Sequence, residues 1–274
     1  MADLLYTPYR VSTITANGHI GCSIHQELFF NNVPIVSPEG NDKGFIWVEW
    51  GANQTKGVYP KKRRKAERKI FDNQITVIYR LREGYMPNVK LFRNGNIQMT
   101  GIRTIEDGKY IVDKIADEIR NIVKTQNVKI VEDIDTIKAR DFTIRMINSD
   151  FSVNYKIRRR ELHRYLMDMH DNKCSYQPET YPGVKLQYFW NAMNKNIAGN
   201  CHCEKMCFGK GTGQELGSCK KVTISIFQSG KVLITGATSF VQVNDAYAYI
   251  TKILSEQIDK FQLQIPSFSG FTFF

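Results

Sequence analysis

Two stretches far apart in the chain carry one pattern of apolar and polar positions. Leu91–Ile102 reads LFRNGNIQMTGI and Ile226–Ala237 reads IFQSGKVLITGA. Each begins with an apolar pair, passes through a polar turn with Gly in fifth place, and ends a second alternating run in Thr-Gly. Alternation broken by a Gly-containing turn is the pattern of a β-hairpin. The copies are offset by 135 positions, Phe92 to Phe227. A helical run follows each. After the first, Ile105, Ile111, Ile115, Ile119 and Ile122 recur at helical spacing, and after the second Val243, Ala246, Ile250 and Ile253 do the same.

The segments before each hairpin also correspond. RVSTITANG (10–18) and FTIRMINSDFSV (142–153) are β-branched runs and predict strands. IHQELFFNNV and IRRRELHRYLMDMH follow them and predict amphipathic helices. QITVIYRLRE (74–83) and YPGVKLQYFW (181–190) predict the strands that lead to the hairpins. Each half therefore runs strand, helix, several strands, long helix, the order of an α+β fold with helices on one side of an antiparallel sheet. The expected organisation is a first repeat over 1–130, a second over 131–260 and a Phe-rich tail over 261–274. Two insertions distinguish the halves. About 30 extra residues fall near 35–72 in the first, including the run KKRRKAERK (61–69), and about 28 fall near 191–221 in the second.

Composition narrows the function. Hydrophobic residues make up 42% of the chain, enough for a real core, and the net charge is +11. Such a basic balance points to a polyanionic partner, above all nucleic acid. The chain has no apolar run of about 18 residues, so no membrane span is expected, and MADLLYTPYR is not a secretory signal. The six cysteines are clustered, which favours a reducing compartment over a disulfide framework. No nucleophile–base pair or carboxylate cluster suggests an enzyme, and GKGTGQ lacks the Gly-Lys-Ser/Thr end of a phosphate loop.

The second insertion holds Cys201, Cys203, Cys207 and Cys219, spaced C-x-C-x3-C-x11-C. Four thiolates can close a tetrahedral structural zinc site, and the Gly-rich stretch before Cys219 lets the backbone wrap. Free thiols are the alternative, and His202 is a substitute ligand. His19, Cys22 and His25, and likewise His170 and Cys174, are read as ordinary surface or helix-end residues. The basic run 61–69 suits DNA phosphate, nuclear import, or simply a solvated face. The aromatic tail is expected to pack on the body or dock a partner.

These residues resemble the TATA-box-binding protein family. SYQPETYPGV (175–184) followed by IFQSGKVLITGA is similar to that family's Tyr-Glu-Pro-Glu-Leu-Phe-Pro-Gly and Phe-Val-Ser-Gly-Lys-Val-Val-Leu-Thr-Gly-Ala stretches, in the same order. VIYRLRE (77–83) and VSTI (11–14) resemble the first-repeat strands. The likeness covers roughly 8–34 and 72–258, and the insertions look like those of viral relatives from large DNA viruses. It implies a saddle: two pseudo-symmetric halves in one curved antiparallel sheet, helices on the convex back and the concave face on the DNA minor groove. Phe wedges that kink the duplex are a known property of this family.

Carried over by the resemblance, the wedges are Phe92 and Phe227. The second wedge of the second repeat falls on Tyr181, and that of the first on Gln74, which cannot wedge; Phe71 lies nearby. The family's central Asn positions fall on Tyr9 and Met146, and the neighbouring floor on Val11 and Asn148. Thr13 shares the opening strand. Lys90, Gln98 and Ser225 stand where the family is apolar, Leu233 stays apolar, and Thr100 and Thr235 remain. Arg80 and Lys231 match phosphate-contacting positions, while Asn96 and Gln187 lack the family's cation. Guanine adds one donor to a groove of acceptors. Asn148, Gln98 or Ser225 would accept from it, so the altered floor implies tolerance of G·C pairs.

The function implied is that of a general transcription initiation factor binding and bending double-stranded promoter DNA, a monomer on DNA that presents it to transcription factors or the RNA polymerase machinery. The host nucleus or a cytoplasmic viral factory is the implied location. The alternative is a protein-interaction scaffold that keeps the fold and has lost specific DNA binding.

Overall fold

The computed structural model describes residues 5–51, 54–60, 73–170, 173–193, 199–205 and 207–263. The basic run 61–69, Phe71 and the tail beyond Leu263 lie outside the described residues. The chain divides into two compact units, Thr13–Met146, and Met1–Ser12 together with Ile147–Phe274.

The Thr13–Met146 unit runs β1 (Arg10–His19, from Thr13 onward), α1 (Gln26–Asn32), β2 (Gly44–Trp50), β3 (Gln54–Gly57), β4 (Gln74–Arg80), β5 (Asn88–Phe92), β6 (Asn96–Ile102) and α2 (Ile105–Gln126). Its antiparallel strands lie in the order β3-β2-β4-β5-β6-β1. Strand alternation turns Ile14, Ala16, Ile75, Val77, Val89, Leu91, Ile97 and Met99 to one buried face. That face meets α2, whose Ile111, Ile115, Ile119 and Ile122 are buried too. The approach is close: a Cβ on Gly18 would lie 2.6 Å from Val112 of α2. Thr104 caps α2 by accepting from the Asp107 N–H at 3.0 Å.

The other unit runs β7 (Arg140–Ser152, from Ile147 onward), α3 (Arg159–Met169), β8 (Cys174–Gln177), β9 (Tyr181–Trp190), β10 (Lys220–Ile226), β11 (Lys231–Ala237), α4 (Phe240–Glu256) and α5 (Ile258–Phe261). Its antiparallel order is β7-β11-β10-β9-β8. Val184, Leu186, Val222, Ile224, Val232 and Ile234 share its core with Val243, Ala246 and Ile250 of α4. Both units are thus the same α+β arrangement, with the helices packed on one face of the sheet.

The shared hairpin pattern has a backbone cause. Gly95 and Gly230 close the two turns at φ +84° and +87°, where a Cβ on either would strike a backbone carbonyl. The Thr-Gly pairs end in Gly101 and Gly236 at φ +85° and +88°. At both places the pairing register shifts, so each Gly belongs to a β-bulge.

The first insertion is built into its unit. β2 stands beside β4 as β8 stands beside β9, and β3 adds one strand further. Lys56 of β3 donates to the Phe30, Asn31 and Val33 carbonyls at 3.0–3.1 Å, capping the C-terminal end of α1. Trp47 and Ile46 of β2 form a small cluster with Ile78, packed by Val36, Tyr59 and Met86.

Arg80 corrects a sequence expectation. It is 1% exposed, so it is no phosphate contact. Its guanidinium donates to the carbonyls of Asp42 (2.7 Å), Pro38 (3.1 Å) and Ser37 (2.8 Å), fastening the insertion loop to β4. A cation with a planar fork of donors satisfies three carbonyls at once. Arg80→Ala removes the three charge-assisted hydrogen bonds that hold the 37–42 loop and empties a buried site, and is expected to cost about 3 kcal/mol. Denaturant unfolding checks this, and Arg80→Lys should recover only part of the loss.

Candidate nucleic-acid interface

Because one face of each sheet is given to the helices, the alternate residues form a second face. In the Thr13–Met146 unit a row crosses the strands as Thr76, Lys90, Gln98 and Asn17, each paired with the next. A parallel row runs Ile78, Asn88, Thr100 and Thr15. In the other unit the corresponding row is Lys185, Ser225, Leu233 and Asp150. Gln187, Thr223 and Thr235 form the next. These faces are polar with scattered apolar residues, as a half-solvated antiparallel sheet requires.

Aromatic residues sit at the hairpin ends. Phe92 stands opposite Gln74, whose amide donates to Thr76 Oγ1 at 3.4 Å. Continuing the β9–β10 register by one pair brings Gly183 opposite Phe227, and a Cβ on Gly183 would lie 3.1 Å from the Phe227 ring. The Tyr181 ring lies 5.7 Å from that of Phe227 and carries Lys185 Nζ at 3.8 Å over its centroid. The second repeat therefore presents an aromatic pair. By strand pairing Gln74 occupies the place of Gly183, and the position matching Tyr181 is Asp72, outside the described residues.

The opening strands also need a new register. Asn17 pairs with Gln98 and Asp150 with Leu233. Since those hairpin residues are equivalent, Thr13 corresponds to Met146 and Thr15 to Asn148. Matching Tyr9 with Met146 and Val11 with Asn148 is four residues out. A shift by an even number leaves the in–out alternation unchanged, so the pattern could not detect it. Tyr9 itself precedes β1 and faces α4: its hydroxyl donates to Asn244 Oδ1 at 2.5 Å, and its ring meets Tyr247 edge-on. It is not a floor residue. Val11 alternates with Thr13, whose Oγ1 accepts from the Gly101 N–H at 3.0 Å. Met146 and Asn148 lie on the face opposite buried Ile147.

Electrostatics differ between the repeats. Asp150, missed from the sequence, is 7% exposed and bound by Arg10 (3.0 Å), Ser12 (2.5 Å) and Lys231 (3.4 Å). Burial alone pushes its carboxyl up, but Ser12, Arg10 and Lys231 outweigh that and hold it below the usual carboxylate range. Lys231 is thus tied to a carboxylate as well as half-exposed. Ser225 is covered to 5% exposure between Lys185 and Leu233. At the place of Asp150 the first repeat has neutral Asn17, whose Oδ1 is buried without a hydrogen-bond partner. Asn148 Oδ1 is likewise buried and unpartnered.

The second insertion joins β9 to β10. Cys201, Cys203, Cys207 and Cys219 bring their Sγ atoms within 4.8 Å of one another, with contacts of 3.4, 3.4 and 3.8 Å. Burial pushes the Cys207 thiol up, but the backbone N–H groups of Gly209 and Cys219 and the adjacent thiols bring it down to about 7. His202 is exposed beside the cluster. The other His–Cys groups serve the fold. His19 Nδ1 accepts from the Gly21 N–H, and His25 Nδ1 caps α1 from Leu28. His170 is a helix-end residue, the C-cap of α3, and is fully buried between Asn200 and Tyr249. Burial pushes the Cys174 thiol up to about 12.

Among the described residues no helix is long and apolar enough to cross a membrane. Residues 141–257 match the family model "Transcription factor TFIID (or TATA-binding protein, TBP)". The chain is 28% identical over 277 residues to a TATA-box-binding protein-like protein of Acanthamoeba polyphaga mimivirus, covering 93% of this chain and 67% of that protein. It is 27% identical over 164 residues to TATA-box-binding protein 2 of Entamoeba histolytica, covering 60% of this chain and 57% of that protein. Among solved structures, Methanococcus jannaschii TBP matches with a TM-score of 0.50 at 17% identity, over 91% of this chain and 97% of its own. At that identity the likeness speaks for the fold. The chain has the α+β fold of TBP, and its residues 141–257 match the TATA-binding protein family model.

Proposed function

We propose that the helix-free sheet faces bind duplex DNA through its minor groove, and that the chain serves as a transcription initiation factor that bends promoter DNA. The observation that carries this reading is the layout of those faces: a polar floor in each unit, ending at Phe92 in one and at the Tyr181–Phe227 pair in the other. Aromatic side chains at the end of a floor are placed to wedge between base steps, and unstacking kinks a duplex. The net charge of +11 supplies the long-range attraction to DNA. Lys90 and Lys185 are candidate phosphate contacts. Arg80 is not, and Lys231 is shared with Asp150. Asn148 and Gln98 supply amides where an apolar floor would exclude guanine, so tolerance of G·C pairs is part of the proposal. The chain acts as a monomer on DNA and offers the bent duplex to general transcription factors or the polymerase machinery, in the host nucleus or a cytoplasmic viral factory.

The four cysteines are proposed to hold a structural zinc ion. A tetrahedral Zn–S₄ site with bonds of about 2.3 Å separates its sulfurs by about 3.8 Å, close to the spacing here. A disulfide would need about 2.05 Å. Zinc would supply no chemistry beyond cross-linking the β9–β10 connection, since four thiolates leave no position open.

One observation favours the scaffold reading: Asp150 places a carboxylate on the proposed DNA face. Selection of bound duplexes from a random pool separates the two. Recovery of a defined motif supports the initiation factor, and its absence supports the scaffold. On the selected duplex, Phe227→Ala should weaken binding at least about 10-fold, the equivalent of about 1.4 kcal/mol, and Phe92→Ala less. Equal binding by parent and Phe227→Ala would remove the wedge argument. For the metal, elemental analysis of the purified chain should find one zinc per molecule, lost in a Cys201→Ser/Cys207→Ser variant. A metal-free folded parent would refute the site.

A further inference from the structure

Asn17 occupies the place in the first repeat that Asp150 fills in the second. Its strand partner is Gln98, and it lines an open depression of about 680 Å³ beside Phe92, together with Asn73, Asn94, Asn96 and Gln98. Five amides line it with the Phe92 ring, beside Arg93 and Ser23. The corresponding place in the second repeat is closed: Asp150 is saturated by Arg10, Ser12 and Lys231, and its strand partner is Leu233. Asn17 is not saturated. Its Oδ1 is buried and meets no donor, so no hydrogen bond of the oxygen holds the amide in that orientation. Turning the amide about χ2 exchanges oxygen for NH₂ at the depression and breaks no hydrogen bond of the oxygen.

We propose that Asn17 is an adaptable base reader that admits a purine 2-amino group in the minor groove at the first-repeat end of the site. The inference rests on the reading that the sheet face takes the minor groove. Both A·T and T·A show only acceptors there, and guanine adds a single donor. With its NH₂ outward, Asn17 donates to the acceptors of an A·T pair. With its oxygen outward, it accepts from the guanine amino group. An apolar side chain at this place does neither and leaves that amino group buried without a partner. Asn17 therefore makes the first repeat permissive at one base step, while in the second repeat Asp150, taken up by Arg10, Ser12 and Lys231, and its apolar strand partner Leu233 keep the equivalent step selective for A·T.

The test uses duplexes that differ only in that amino group. A selected AT-rich site is substituted one position at a time, A·T by 2,6-diaminopurine·T, and G·C by inosine·C. The parent should bind the amino-bearing and amino-free forms within about 3-fold at one first-repeat step, and reject the amino group at the equivalent second-repeat step. Asn17→Val should weaken the amino-bearing duplex about 10-fold relative to its amino-free twin at that step alone, and Asn17→Ser, which keeps a hydroxyl acceptor, should restore tolerance. Circular dichroism confirms that both variants fold. If Asn17→Val treats each pair of duplexes as the parent does, or the parent rejects the amino group at every step, the proposal fails while DNA binding stands. If the unsubstituted AT-rich duplex is not bound at all, the minor-groove reading fails and this assignment with it.

Discussion

One-sided burial is the constraint on which each unit depends. A strand shows alternate residues to opposite faces, and here one set is committed to the helices. Ile14, Ala16, Val89, Leu91, Ile97 and Met99 face α2, and Val184, Leu186, Val222, Ile224, Val232 and Ile234 pack with α4. Burying a branched aliphatic side chain contributes roughly 1.5–3 kcal/mol, so these residues fix the orientation of the sheets. The remaining face is then free of packing duties. It can carry Lys, Gln, Asn and Thr, and aromatic rings at its ends, without loss of the core.

The two units use that freedom differently. The second keeps an aromatic pair and an apolar Leu233, and neutralises Asp150 with two cations and a hydroxyl. The first pairs Phe92 with Gln74 and sets Gln98 beside Asn17. Its insertion is not an appendage. Lys56 and Arg80 spend their charges on backbone carbonyls, tying β3 to the end of α1 and the 37–42 loop to β4. Cations counted in the net charge are therefore not all available to a polyanion.

The repeat and the fold class were legible because period-2 alternation, turn glycines and helical spacing are local signals. Gly95, Gly101, Gly230 and Gly236 mark the same turns and bulges in both copies. What escaped was register. Even-numbered shifts preserve alternation, so the pattern sets Tyr9 and Val11 four residues from the true counterparts of Met146 and Asn148 and gives no sign of Asn17 or Asp150. Burial of a long cation is also invisible in sequence: Arg80 sits in a run of strand residues, and only the loop carbonyls around it reveal its task. The cysteine cluster was legible from spacing alone, because a short Gly-rich connection brings four thiols together.

The central claim is that the helix-free faces seat a bent duplex. It is tested most directly by energy transfer between dyes at the two ends of a selected duplex of about 20 base pairs, measured as the protein is added. Wedge insertion predicts a saturable shortening of the end-to-end distance that follows binding. Saturable binding with an unchanged end-to-end distance would contradict it.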